Sequence, residues 1–173
     1  VIALGVDPDL RNSGFAVVQS RAGAKPLVEF AFTIRTDAKE AREWDLVDAA
    51  VNIRPWNFPT GPIERATVEA QMIYPRQKAR PNDILRLAYV AGSWAGKLAA
   101  VLSCSVETVL PRDWRGTIPK AVAQARILSR VEWPLREQVA ATLTKTEFSD
   151  VVDAIGLALY GLRLPGAITP TFT

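Results

Sequence analysis

The sequence predicts an α/β domain in which a five-stranded mixed sheet is flanked by helices. Two patterns carry that expectation. β-Branched runs open the chain as a meander, and further on short apolar runs alternate with segments of helical period. Size agrees: 173 residues, 49% of them apolar, make one domain over 1–173. A chain of that length buries roughly 70% of its unfolded surface without disulfides or structural metal.

IALGVDP (2–8) and GFAVVQS (14–20) are joined by the polar turn DLRNSG and predict a hairpin, which LVEFAFTIR (27–35) extends as a third strand. DAKEAREWDLVDAAVNI (37–53) has helical period, starts at Asp37 as N-cap and stops before Pro55. RATVEAQ (65–71) reads as a short buried strand carrying Glu69. A Pro- and Arg-rich loop (75–81) leads into a long helix over 82–102, whose small residues Ala91, Gly92, Ala95 and Gly96 admit close packing by the sheet or a second subunit. SVETVL (105–110) is the fifth strand. A basic amphipathic helix over 119–131 and a last helix over 147–162, with Ser149 near its start, complete the chain.

Composition works mainly by exclusion. The chain has no histidine, which removes Ser-His-Asp and Cys-His catalysis, HNH-type nucleases and nearly every zinc site. A single cysteine, Cys104, precludes an internal disulfide and fits a reducing compartment. The longest apolar stretch, AIGLALYGL, is far short of the ~18 residues that span a bilayer. With no charged-then-apolar leader at its start, the chain is expected in the cytoplasm and away from membranes. Charge is uneven. Residues 70–130 hold ten Lys and Arg against three Asp and Glu, while the rest holds eleven against fifteen. A basic middle beside acidic flanks suits a polyanion partner, although a solvated basic helix face has the same composition.

Four carboxylates stand out. Asp7 ends the first apolar run, Glu69 ends another, and Asp150 and Asp153 lie three apart on one face of the last helix. Each has an ordinary explanation. Asp-Pro starts turns, a glutamate can sit at a sheet edge, and acids favour the start of a helix. Together, if folding brings them close, they repel, and one would take up a proton unless a cation joined them. Magnesium wants such hard oxygen ligands, and two ions can drive phosphodiester hydrolysis without an imidazole base.

ALGVDPDLRNSGFAVV, TVEAQMIYP and SDVVDAIGLALYG resemble, in order and spacing, the three motifs of the RuvC family of Holliday junction resolvases. The first motif alone is shared with other ribonuclease H-like proteins and with actin-like ATPases; the three together are far more specific. The likeness spans nearly the whole chain, with little of it between about 36 and 64. It implies a ribonuclease H-like fold, a homodimer, and paired nicking of four-way DNA junctions that leaves 5′-phosphate and 3′-hydroxyl ends. Two Mg²⁺ ions per site are implied, with Mn²⁺ as a substitute, held by Asp7, Glu69, Asp150 and Asp153. The family's junction-opening side chain falls at Met72, a role shared here with nearby Tyr74. Lys120 resembles a DNA-contacting lysine and Arg115 lies near a second basic position, with solvated helix residues as the alternative. Arg76, Lys78 and Arg80 in the intervening loop are expected along the DNA backbone.

Two departures are visible. Asp9 stands where the family usually has glycine, as a fifth acid that either touches metal through water or changes the turn. The loop GTIP between Arg115 and Lys120 is shorter than in bacterial resolvases, as in a phage-type member acting on a wider range of branched DNA. The dimer surface is expected on the long helix through Leu87, Ala91, Trp94 and Leu98. Three alternatives stay open: an inactive branched-DNA-binding module on the same fold, another ribonuclease H-like nuclease, and an actin-like ATPase. The last would need a second phosphate-binding glycine turn and a longer chain. Cleavage preference and any helicase partner are not written in the sequence.

Overall fold

The computed structural model describes residues 1–35, 61–71 and 81–163. Strands β1 (Ile2–Asp7), β2 (Asn12–Gln19) and β3 (Leu27–Arg35) form an antiparallel meander. β4 (Arg65–Glu69) and β5 (Ser105–Val109) add parallel to the other side of β1, giving the order β3-β2-β1-β4-β5. The helices are α1 (Pro81–Val101), α2 (Pro111–Trp114), α3 (Lys120–Arg130), α4 (Arg136–Thr142) and α5 (Lys145–Gly161). The expected strands are all present, with ends shifted by a residue or two. The short helices α2 and α4 have no counterpart in the sequence pattern, and the helix expected over 37–53 lies outside the described residues.

β1 is buried on both faces, and its side-chain alternation sorts two cores. Ile2, Leu4 and Val6 point with Phe15, Val17, Ala66 and Val68 toward Val90, Trp94 and Leu98 of α1. Ala3, Ala16 and Val18 point the other way, onto Val151, Ala154, Ile155 and Ala158 of α5. The same period of two places Asp7 on the α5 face, and Glu69 likewise, since Ala66 and Val68 take the α1 face.

Helix α5 sits unusually close to the sheet. A Cβ on Gly5 would lie 1.9 Å from the Ala154 carbonyl oxygen, and one on Gly14 would lie 2.4 Å from that of Asp150. Gly14 pairs directly with Asp7. The glycines therefore bring the helix backbone bearing Asp150 down beside the strand residue Asp7.

Two expectations need correction. The last helix begins at Lys145, not 147, because Thr144 caps it: the Thr144 hydroxyl accepts from the Glu147 amide while the Glu147 carboxylate accepts from the Thr144 amide. Asp150 and Asp153 thus lie beyond the first turn, where the helix dipole gives little reason for an acid. The dimer surface expected through Leu87, Ala91, Trp94 and Leu98 is also misplaced. Ala91, Trp94 and Leu98 are buried in the chain's own core, and Leu87 is half-buried. The opposite face of α1 is exposed and uncharged, running through Leu85, Ala88, Tyr89, Gly92 and Gly96. A Cβ at Gly92 or Gly96 would meet nothing within 4 Å among the described residues.

Candidate active site

Three acids are almost withdrawn from solvent: Asp7 is 9% exposed, Glu69 8% and Asp153 2%. The Asp150 side chain, at 13%, is the most accessible of the four. Asp7 and Glu69 come from the ends of adjacent parallel strands, and Asp150 and Asp153 from α5 above them. They are close enough to act on one another. Burial, then the charges of Glu69, Asp153 and Asp150, hold the Asp7 carboxyl well above the usual aspartate range, against the pull of Lys120. Burial likewise raises Glu69, opposed by a hydrogen bond from Trp114 and by Arg115. Asp150 is pushed up to about 6, chiefly by burial; Lys120 opposes this, and Asp9, Asp153 and Glu147 add to it.

The cations expected at this site are present. Lys120, the first residue of α3, places Nζ 2.8 Å from Asp153 Oδ2 and 3.9 Å from Asp150 Oδ1. Burial alone would lower its pKa, but attraction to Asp153 together with Asp7 and Asp150 carries it above the ordinary lysine value. Arg115 Nη1 stands 3.8 Å from Asp153 Oδ2. Both residues, singled out in the sequence by the family resemblance, therefore border the acids. Met72, Tyr74, Arg76, Lys78 and Arg80 lie outside the described residues.

Asp9 serves its turn. Its carboxylate accepts from the amides of Arg11 at 3.0 Å and Asn12 at 3.4 Å, and the residue is exposed. Its charge still reaches Asp150.

Two contributors escaped the sequence reading. Trp114, 1% exposed, donates its indole N–H to Glu69 Oε2 at 2.7 Å. Gln124 donates from its carboxamide to Asp153 Oδ1 at 2.9 Å, and to the Ser149 carbonyl and hydroxyl at 3.0 and 2.8 Å. A signal existed for Gln124, which lies one helical turn after Lys120 on the same face of α3. Trp114 gave a fainter one, as an indole in a polar run whose N–H needs a partner once buried.

The donor set suits a hard divalent cation. It offers carboxylate oxygens alone, crowded enough that their protonation is perturbed, which an added positive charge would relieve. As arranged, with the Lys120 ammonium paired to two of the acids, no three acidic or cysteine side chains among the described residues close around a single point. Among the described residues, no helix is long and apolar enough to cross a membrane.

No protein-family model and no curated protein matches the chain. Solved structures do. Thermus thermophilus RuvC in complex with a Holliday junction substrate is similar at TM-score 0.56 and 16% identity, over 92% of this chain and 91% of that one. The fowlpox virus resolvase with its substrate Holliday junction DNA gives 0.56 at 12% identity, over 94% and 99%. The yeast mitochondrial Holliday junction resolvase gives 0.65 at 12% identity, over 93% of this chain and 77% of that one. The chain shares the ribonuclease H-like fold of these resolvases.

Proposed function

We propose that this chain is a structure-specific DNA endonuclease that resolves Holliday junctions, and other branched DNA, by paired metal-dependent nicking. The observation that carries the proposal is that Asp7, Glu69, Asp150 and Asp153 lie near enough to act on one another at one end of the sheet, with Lys120 and Arg115 beside them. The shared fold supports it. Asp7, Glu69, Asp150 and Asp153 would hold magnesium ions, or manganese in their place. Bound there, the metal would supply Lewis acidity toward the phosphodiester.

The chain's own residues do the rest. Asp7 and Glu69, fixed in adjacent strands, give the site a rigid floor, while Asp150 is the least buried of the four acids and the first that an approaching DNA strand would meet. Lys120 and Arg115 bind the phosphate backbone beside the scissile bond and offset negative charge growing on it. Lys120, paired with Asp153 and Asp150 here, would be free to turn to the DNA if a metal were held by those acids as their counter-ion. Burial of the acids keeps bulk water from competing. Met72 and Tyr74 are proposed to press into the junction centre, and Arg76, Lys78 and Arg80 to follow the backbone.

The enzyme acts as a homodimer, so that two centres nick opposed strands, and the exposed face of α1 is the surface offered for it. Glycine in mid-helix costs about 1 kcal/mol relative to alanine, yet nothing among the described residues needs the space left at Gly92 and Gly96. A second helix approaching closely would use it.

The test is a panel of matched four-way, three-way, forked and linear DNA with Mg²⁺, with ends mapped to the nucleotide. Four-way junctions should be nicked in pairs. Asp7→Asn and Asp153→Asn should bind them normally while nicking at least ~10³-fold more slowly. Either variant cutting near the wild-type rate would remove the catalytic assignment. Binding by the wild type without nicking in Mg²⁺ or Mn²⁺ would identify a branched-DNA-binding module instead.

A further inference from the structure

We infer that Trp114 and Gln124 are positioning residues that fix the rotamers of Glu69 and Asp153 through uncharged donors, which bring no positive charge of their own to compete with a cation. The inference rests on the divalent-ion reading above and adds to it the means by which the ligands are held. Charge separates these residues from the others around the acids. Lys120 and Arg115 also approach Asp153, but each brings a positive charge that an incoming ion must displace or outweigh. An indole N–H and a carboxamide hold their acceptors without that competition. Trp114 engages Oε2 of Glu69 and leaves Oε1 outside the bond, while Gln124 engages Oδ1 of Asp153, whose Oδ2 is the oxygen facing Lys120 and Arg115.

Both donors are themselves held. Trp114 ends α2, just after Pro111 sets the first turn, and its ring lies over Gly156 of α5. A Cβ at Gly156 would come within 2.6 Å of Trp114 Cζ3 and 2.7 Å of Ile127 Cδ1. The indole thus reaches Glu69 only because α5 carries glycine at that point. Gln124 is on α3 between the buried residues Ala123 and Ile127, and its bonds to Ser149 tie α3 to the turn of α5 that bears Asp150. Ligand-orienting partners of this kind typically contribute tenfold to a hundredfold to metal affinity.

Mn²⁺ binding to the DNA-free full chain, followed by electron paramagnetic resonance, provides a test independent of nicking. Trp114→Phe keeps most of the ring but loses the donor, and Gln124→Met keeps the shape but loses the amide. Each should bind Mn²⁺ about tenfold more weakly or worse, and saturating Mn²⁺ should restore occupancy. Ile127→Val is the structural control: it thins the same contact over Gly156 without touching a carboxylate, so it should lower the melting temperature and leave Mn²⁺ affinity unchanged. Wild-type affinity in both Trp114→Phe and Gln124→Met, an equal loss in Ile127→Val, or no Mn²⁺ binding by the wild type would overturn the inference. Weakened binding in the two variants of a protein that nicks no DNA would sustain it while defeating the endonuclease proposal.

Discussion

At the scale of single residues, Asp7 is held at a cost. Its carboxyl is raised well above the aspartate range by burial and three like charges, Glu69 is raised too, and Asp150 moves from 3.8 to about 6. An acid with a raised folded pKa keeps its proton in the native state at pH values where the unfolded chain has lost it. Its stabilising contribution is full below the unfolded value and is lost as pH rises through the folded one. The metal-free protein should therefore melt higher at pH 5 than at pH 7.5, and Mg²⁺ should recover more stability at pH 7.5. Asp7→Asn, with no charge to bury, should raise the pH 7.5 melting temperature by about 2–4 °C per kcal/mol gained and flatten the pH dependence. A lower melting temperature for Asp7→Asn at pH 7.5 would show that the buried charge is well compensated. The acids were readable in the sequence because each sits at the edge of an apolar run or at helical spacing. Trp114 showed only as an indole in need of a partner, and its pairing with Glu69 was not readable, since the two are 45 residues apart and no local pattern records such a pairing.

At the scale of elements, the decisive contact is that of α5 on the β1–β2 hairpin. Gly14 meets the backbone of Asp150 and Val151, neither of which can rotate aside as a side chain would. Gly14→Ala should lift this end of the helix, costing about 1–3 kcal/mol in stability and pulling Asp150 and Asp153 away from Asp7. The measurements are a thermal melt and a nicking assay on a four-way junction. Loss of stability with nicking kept near wild type would mean that the acids tolerate displacement of the helix. The glycines could be seen in the sequence but their purpose could not, because it depends on a helix more than a hundred residues away. The start of α5 was legible in the Thr144-to-Glu147 capping pattern, which Ser149, closer to the acids, masked. α2, with four residues, is too short to show any period.

For the whole molecule, the five strands, the mixed sheet and the closing helix followed from alternation and helical period, whereas the strand order and the division into two cores came only with the structure. Which face of α1 turns inward did not, because both faces are apolar and only the structure shows which one the sheet covers. The outward face gives a prediction of opposed signs. Gly96→Glu should favour the isolated helix by a few tenths to about 1 kcal/mol, yet place a charge where the proposed second copy would approach. Sedimentation equilibrium at micromolar concentration should find a dimer for the wild type and a monomer for the variant. A variant that remains dimeric would put the interface elsewhere.

The strand alternation that aims Asp7 and Glu69 toward α5 also limits how such a chain can change over generations. Removing one residue within β1 would turn Asp7 toward Phe15 and Trp94, and the same loss in β4 would send Glu69 into that dry layer. No compensating substitution elsewhere could turn either side chain back. Insertions and deletions must therefore collect between the strands and be purged within them. Distant relatives should therefore differ in the interval between these two acids, while the few residues leading into each should stay fixed in number.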